Sequence, residues 1–93
     1  MSVDHCRYVV RYSGRVQGVW FRKTALGLAA GLSIGGFVKN EQDGSVLLDV
    51  QGPENDLQEL MRRISSSFES NIESVQVEER KATGKTSGFR IKY

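Results

Sequence analysis

One cysteine and one histidine occur in 93 residues, and each scarcity removes a class of explanation. Cys6 has no partner for an intramolecular disulfide, which points to a reducing compartment and makes the cytoplasm the expected location. It is also a poor phosphatase nucleophile, because that chemistry calls for an arginine six positions on, where Tyr12 stands. His5 is alone near the start of the chain, so no set of ligands at metal-site spacing exists and neither a metal nor another cofactor is expected. No apolar run approaches the ~18 residues of a membrane span, and Met1 to His5 is too short and polar to be a targeting segment.

Charge of one sign is equally scarce, at a net +2, yet it is unevenly placed. Up to residue 45 six bases stand against three acids, and beyond it seven bases stand against eight acids. The positive half surrounds Gly14-Arg15-Val16-Gln17-Gly18-Val19-Trp20-Phe21-Arg22, the most informative stretch of the chain. A small anion suits such a field, which is too weak to argue for duplex nucleic acid.

The physical content of that stretch is an anion cradle. Gly18 can take positive φ without steric cost, so that successive backbone N–H groups converge on one point. The first N–H groups of a helix are unsatisfied and carry partial positive charge. Arg22, at the expected helix start, adds a fork of donors that fits a phosphate edge.

Periodicity supplies the frame. Cys6 to Ser13 reads as a strand ending at Gly14, and Phe21, Ala25, Leu28, Ala29 and Leu32 recur at helical spacing, with Gly31 placed to end a helix that starts at about Arg22. Ser33 to Asn40 reads as extended, and Val46, Leu48 and Val50 alternate with Leu47, Asp49 and Gln51 in a further strand. Asp43-Gly44 between them is a hairpin signal, so these two strands should be antiparallel neighbours. Gly52-Pro53 opens a second helix with the apolar stripe Leu57, Leu60, Met61, Ile64 and Phe68. Glu54 and Asp56 suit its N-terminus, Arg62 and Arg63 suit its C-terminal dipole, and Ser65-Ser66-Ser67 weaken its end. Ile72 to Glu79 is a fourth strand, and Phe89 to Tyr93 a short fifth beyond a Gly/Thr/Lys loop at 82–88.

The order strand, helix, strand, strand, helix, strand builds an α+β, ferredoxin-like βαββαβ sandwich, an antiparallel sheet with two helices on one face. One domain over residues 1–93 is expected, since a chain of this length buries on the order of 60–65% of its unfolded surface around a single core. The first loop then lies at one end of the sheet. The residue expected to approach it is one on the strand paired alongside, and Asn40, just before the hairpin, can donate and accept at once.

Gly14 to Arg22 resembles the first motif of the acylphosphatase family, and Gly36-Phe37-Val38-Lys39-Asn40-Glu41-Gln42-Asp43-Gly44-Ser45-Val46, running on to Gly52, resembles the second. Both occur in the family's order and separation, and Gly88-Phe89-Arg90-Ile91-Lys92-Tyr93 is similar to its C-terminus, so the likeness spans nearly the whole chain. Trp20 falls where the family varies, and Phe37 replaces a commoner tryptophan, a change of packing more than of chemistry. The resemblance implies a phosphate-binding loop over Arg15, Val16, Gln17, Gly18, Val19, Trp20 and Phe21, with Arg22 and Asn40 as the catalytic residues. It implies a small-molecule acyl phosphate as substrate and inorganic phosphate as product and competitive inhibitor. A monomer is expected, with neither nucleic acid nor membrane as partner.

Leaving-group chemistry agrees. An acyl phosphate expels a carboxylate whose conjugate acid has a pKa of about 4, so departure needs no general acid. Phosphoryl transfer through a loose transition state needs positioning and charge neutralisation. Loop N–H groups and Arg22 would supply these, while Asn40 holds a water in line and the water's proton passes to a phosphoryl oxygen.

Individual residues carry blander readings. Arg22 by itself is a solvated helix-start arginine and Asn40 a turn residue; only their pairing with the loop raises them. Trp20 either lines the mouth of the site or packs beneath it, and Gln17 either fixes the loop through its amide or faces solvent. Gly84-Lys85-Thr86 imitates the end of a nucleotide P-loop, but Glu79 stands where the upstream glycine is required. The same order of elements serves RNA-recognition modules, and Gly36-Phe37-Val38 superficially resembles their platform motif, although Ser45 to Gln51 supplies no aromatic for stacking. A catalytically silent interaction domain of this fold is the third alternative.

Overall fold

The computed structural model describes residues 5–83 and 88–93. The P-loop-like Gly84-Lys85-Thr86, part of the loop at 82–88 and residues 1–4 therefore lie outside the described residues. The elements run β1 (His5–Gly14), α1 (Phe21–Leu28), β2 (Gly35–Asn40), β3 (Val46–Pro53), α2 (Glu54–Ser67), β4 (Ile72–Arg80) and β5 (Phe89–Ile91). Alternation decides which face of the sheet is covered. Tyr8, Val10 and Tyr12 of β1 and Val46, Leu48 and Val50 of β3 point to one side, where Leu57, Leu60 and Ile64 of α2 and Phe21 and Ala25 of α1 close the core.

The strand order is β4-β1-β3-β2-β5. Two expectations change with it. First, the sheet is mixed: β5 runs parallel to β2, pairing Gly36 with Phe89 and Val38 with Ile91, while every other pairing is antiparallel. A chain arriving from β4 crosses the whole sheet to reach that edge, which local sequence cannot encode. Second, the strand carrying Asn40 is not β1's neighbour. β3 lies between them, with Val46 facing both Tyr12 and Asn40.

Helix α1 stops at Leu28, earlier than Gly31 suggested, with Ala29 as its C-cap. The termination is tertiary. Arg63 reaches across from α2 and donates through Nη1 to the carbonyls of Leu28 (2.7 Å) and Ala30 (3.3 Å). Its Nε and the guanidinium of Arg62 both bind Glu59. Neither arginine lies in the last turn of α2, which carries no basic residue, so Arg63 serves the other helix's C-terminus. The serine run at 65–67 remains helical.

Tyr8 ties β1 to the start of α2 by donating from its hydroxyl to Glu54 (3.1 Å). Strand β4 is the exposed edge, and Val75 and Val77, in register with Tyr12 and Val10, lie beyond the cover of the helices. On the open face Arg7 grips Asp49 with two charge-assisted hydrogen bonds of 2.9 and 2.8 Å, and the Lys92 ammonium sits 4.7 Å from the Phe37 ring centroid.

Candidate active site

The segment leaving β1 is fixed at its stem. Gly14 has φ 127°, and a Cβ there would stand 2.3 Å from the Asn71 carbonyl oxygen, so only glycine fits this approach. Arg15 N–H donates to that carbonyl (2.9 Å), and the Asn71 side-chain amide returns a hydrogen bond to the Arg15 carbonyl (3.1 Å). Val16 is then fully buried and Gly18 takes φ 73°. Among the described residues, no protein acceptor takes the backbone N–H groups of Val16 to Trp20. Donors left without protein acceptors in a turn at a helix start suit an anion.

Gln17 resolves its two readings through its amide, whose Nε2 donates to the carbonyls of Glu41 (2.7 Å) and Ser45 (2.8 Å). This links the loop to the β2–β3 hairpin over the end of the intervening strand, and it is how Asn40 comes near a loop that its own strand does not adjoin. Trp20 has φ 64°, a left-handed conformation that bulky residues seldom adopt, and its side chain is 73% exposed at the rim. Its carbonyl accepts the Thr24 N–H (2.9 Å), the first turn of α1.

That first turn is pinned from below. Phe21 is buried between Tyr12, with ring centroids 5.3 Å apart, and Phe68, at 4.4 Å and stacked. Tyr12 holds its hydroxyl in the core with no hydrogen-bond partner among the described residues, and burial pushes its pKa up. With Phe21 fixed, Arg22 projects to the cleft, its guanidinium carbon 4.9 Å from the Tyr93 ring centroid.

A cleft of about 380 Å³ brings together Val16, Gly18, Trp20, Phe21, Arg22 and Asn40. Arg15, Gln17 and Val19 do not line it: Arg15 is exposed, Gln17 holds the hairpin and Val19 packs against the core. Lys23, Ile91 and Tyr93 line it without having been singled out from the sequence. The alternation of Phe89, Ile91 and Tyr93 along β5 and just past its end was the available signal. Among the described residues, no group of three or more His, Cys, Asp or Glu comes together. Cys6 is half-buried and packs against the core. No helix among the described residues is long and apolar enough to cross a membrane.

Comparison with known proteins matches the acylphosphatase family model over residues 8–91. The chain is 37% identical to the acylphosphatase of Salinibacter ruber over 87 residues, 92% of each chain. The crystal structure of acylphosphatase from Bacillus subtilis superposes with a TM-score of 0.85 at 33% identity, covering 95% of this chain and 99% of that one. An acylphosphatase from Coxiella burnetii gives 0.79 at 28% identity, covering 96% and 94%. Agreement of sequence and shape from β1 to β5 makes this chain a member of the acylphosphatase family, hydrolases that cleave acyl phosphates.

Proposed function

We propose that the acyl phosphate is held by its phosphoryl group in the loop Arg15 to Phe21, through backbone N–H groups and the Arg22 guanidinium, and that Asn40 positions the attacking water. The observation that carries this reading is the meeting of the Gly18 turn, Arg22 and Asn40 in one cleft, although they come from separate elements. The guanidinium and the loop donors neutralise the equatorial oxygens as the bond to the carboxylate lengthens. The Asn40 carboxamide is no base near neutral pH; it accepts a hydrogen bond from the water and holds it in line. Water oxygen bonds to phosphorus, the carboxylate leaves with the electron pair of the P–O bond, and the water's proton passes to a phosphoryl oxygen.

No step asks for a metal, so chelation should leave turnover intact. Inorganic phosphate should compete with substrate, because it fits the same cradle. The same proposal takes residues 1–93 as a single, monomeric, cytoplasmic domain with no nucleic-acid or membrane partner. The lone cysteine and weak net charge support this.

Separate loss of the two side chains tests the roles. Arg22→Ala should lower kcat/KM by about 10³-fold or more and abolish inhibition by phosphate, and Arg22→Lys should recover little, since a point charge lacks the fork. Asn40→Ala should lower kcat about 10²- to 10³-fold while the phosphate inhibition constant stays within about twofold. Equal loss of phosphate binding in both variants removes the role given to Asn40, and Mg²⁺-dependent recovery after chelation removes the metal-free route.

A further inference from the structure

Trp20 is the only tryptophan in the chain, and its placement is costly on two counts. Its left-handed backbone, φ 64°, carries strain. Its indole is 73% exposed, so burial returns little of that cost. Among the described residues it is neither in the core nor packed against it. What Trp20 does is line the cleft, which Ile91 and Tyr93 also line, with the Lys23 ammonium 5.4 Å from its ring centroid. The cleft, at about 380 Å³, falls in the range of ~300–1,000 Å³ typical of sites that enclose whole small molecules, and a phosphoryl group alone would leave much of it unfilled.

We infer that Trp20 forms, with Ile91 and Tyr93, a subsite for the acyl half of the substrate, and that this subsite selects planar, apolar acyl groups of aromatic size over acetyl-sized ones. The inference rests on the phosphoryl group lying in the Gly18 loop beside Arg22, which sends the acyl group outward along the rim. A flat acyl group then stacks on the indole and displaces water from two further apolar side chains, whereas an acetyl group is too short to cover the ring. Trp20 thus acts on specificity by side-chain contact, whatever its backbone N–H contributes to the anion.

Competition between benzoyl phosphate and acetyl phosphate provides the test, because both share the phosphoryl cradle and differ only beyond it. The ratio of their kcat/KM values cancels damage to the cradle. In the wild type it should favour benzoyl phosphate by about tenfold, beyond the difference in their uncatalysed hydrolysis. Trp20→Asn, whose side chain tolerates the left-handed backbone, should bring the ratio down to about the uncatalysed one, and Trp20→Phe should restore most of it. Fluorescence of the lone indole should change saturably with benzoylphosphonate and much less with inorganic phosphate. A ratio in Trp20→Asn within twofold of wild type, with both substrates still hydrolysed, overturns the acyl subsite and leaves the functional reading standing. Hydrolysis of neither substrate by the wild type overturns the functional reading and the inference with it.

Discussion

Two loops sit side by side at one end of the sheet, and they treat their polar groups in opposite ways. The β2–β3 hairpin loop satisfies itself. Glu41 N–H donates to Ser45, Gly44 N–H to Glu41, and both the N–H and hydroxyl of Ser45 donate to Asp43, whose carboxyl is held below its ordinary range by those bonds. Arg11 adds a hydrogen bond to the Ser45 hydroxyl at 3.0 Å. The loop from Arg15 to Trp20 is held by its two ends and by one side chain, while its backbone donors from Val16 onward take no protein acceptor among the described residues. A loop made for stability closes its own hydrogen bonds; a loop suited to a ligand borrows rigidity from its neighbours and leaves its donors available.

The contrast breaks most severely at the stem. Gly14→Ala, with φ 127° and a Cβ 2.3 Å from a carbonyl oxygen, should destabilise the protein by ~3 kcal/mol through strain and clash and lower kcat/KM in the molecules that still fold. Urea unfolding and steady-state assay together measure both. Gln17→Ala comes next: it removes one of the two donors from each of two carbonyls, which keep their backbone partners, and should cost ~1 kcal/mol. Asn40 would lose its registration with the loop, so kcat should fall by about tenfold. The counterpart in the self-closed loop, Asp43→Ala, should lower the melting temperature and leave kcat near wild type. Similar losses of kcat in both variants would end the distinction between the loops.

Smaller effects are expected beneath and behind the site. Tyr12→Phe removes a buried hydroxyl that has no partner among the described residues, and should raise stability by ~1 kcal/mol with the Phe21 contact preserved. A loss of stability instead would mean that the hydroxyl holds a bound water. Glu59 lies near the middle of α2, where Arg62 and then Arg63 hold its pKa down to about 2, below its ordinary value of 4.5. Its contribution is therefore present above about pH 4.5 and lost as pH falls through about 2. Wild type and Glu59→Gln should converge in stability on acidification across that window, with the enzyme's phosphate affinity at neutral pH unaltered.

Much of this was legible in the chain because it is local. Alternation along β1 and β3, the stripe of α2 and Asp43-Gly44 specify strands, helix and hairpin without reference to distant partners. What escaped is what crosses the molecule. Helix α1 ends under a guanidinium from α2, and Gln17 has its acceptors in another motif. Strand β5 docks parallel to β2 and delivers Ile91 and Tyr93 to the cleft. Arg22 and Asn40 stood out through motifs, and the sequence brought them together through a strand pairing that the sheet does not contain. Gln17 and the loop's crossing supply the bridge instead.

The single amide of Gln17 also has a kinetic meaning. The β2–β3 hairpin is a local structure of the kind that closes in microseconds, whereas pairing β1 with β3 and β4 joins distant parts of the chain and is slow. Gln17 can find its two carbonyls only after both events. Recovery of hydrolysis during refolding therefore marks the closing of the sheet rather than the appearance of secondary structure, so that the enzyme reports on its own completion.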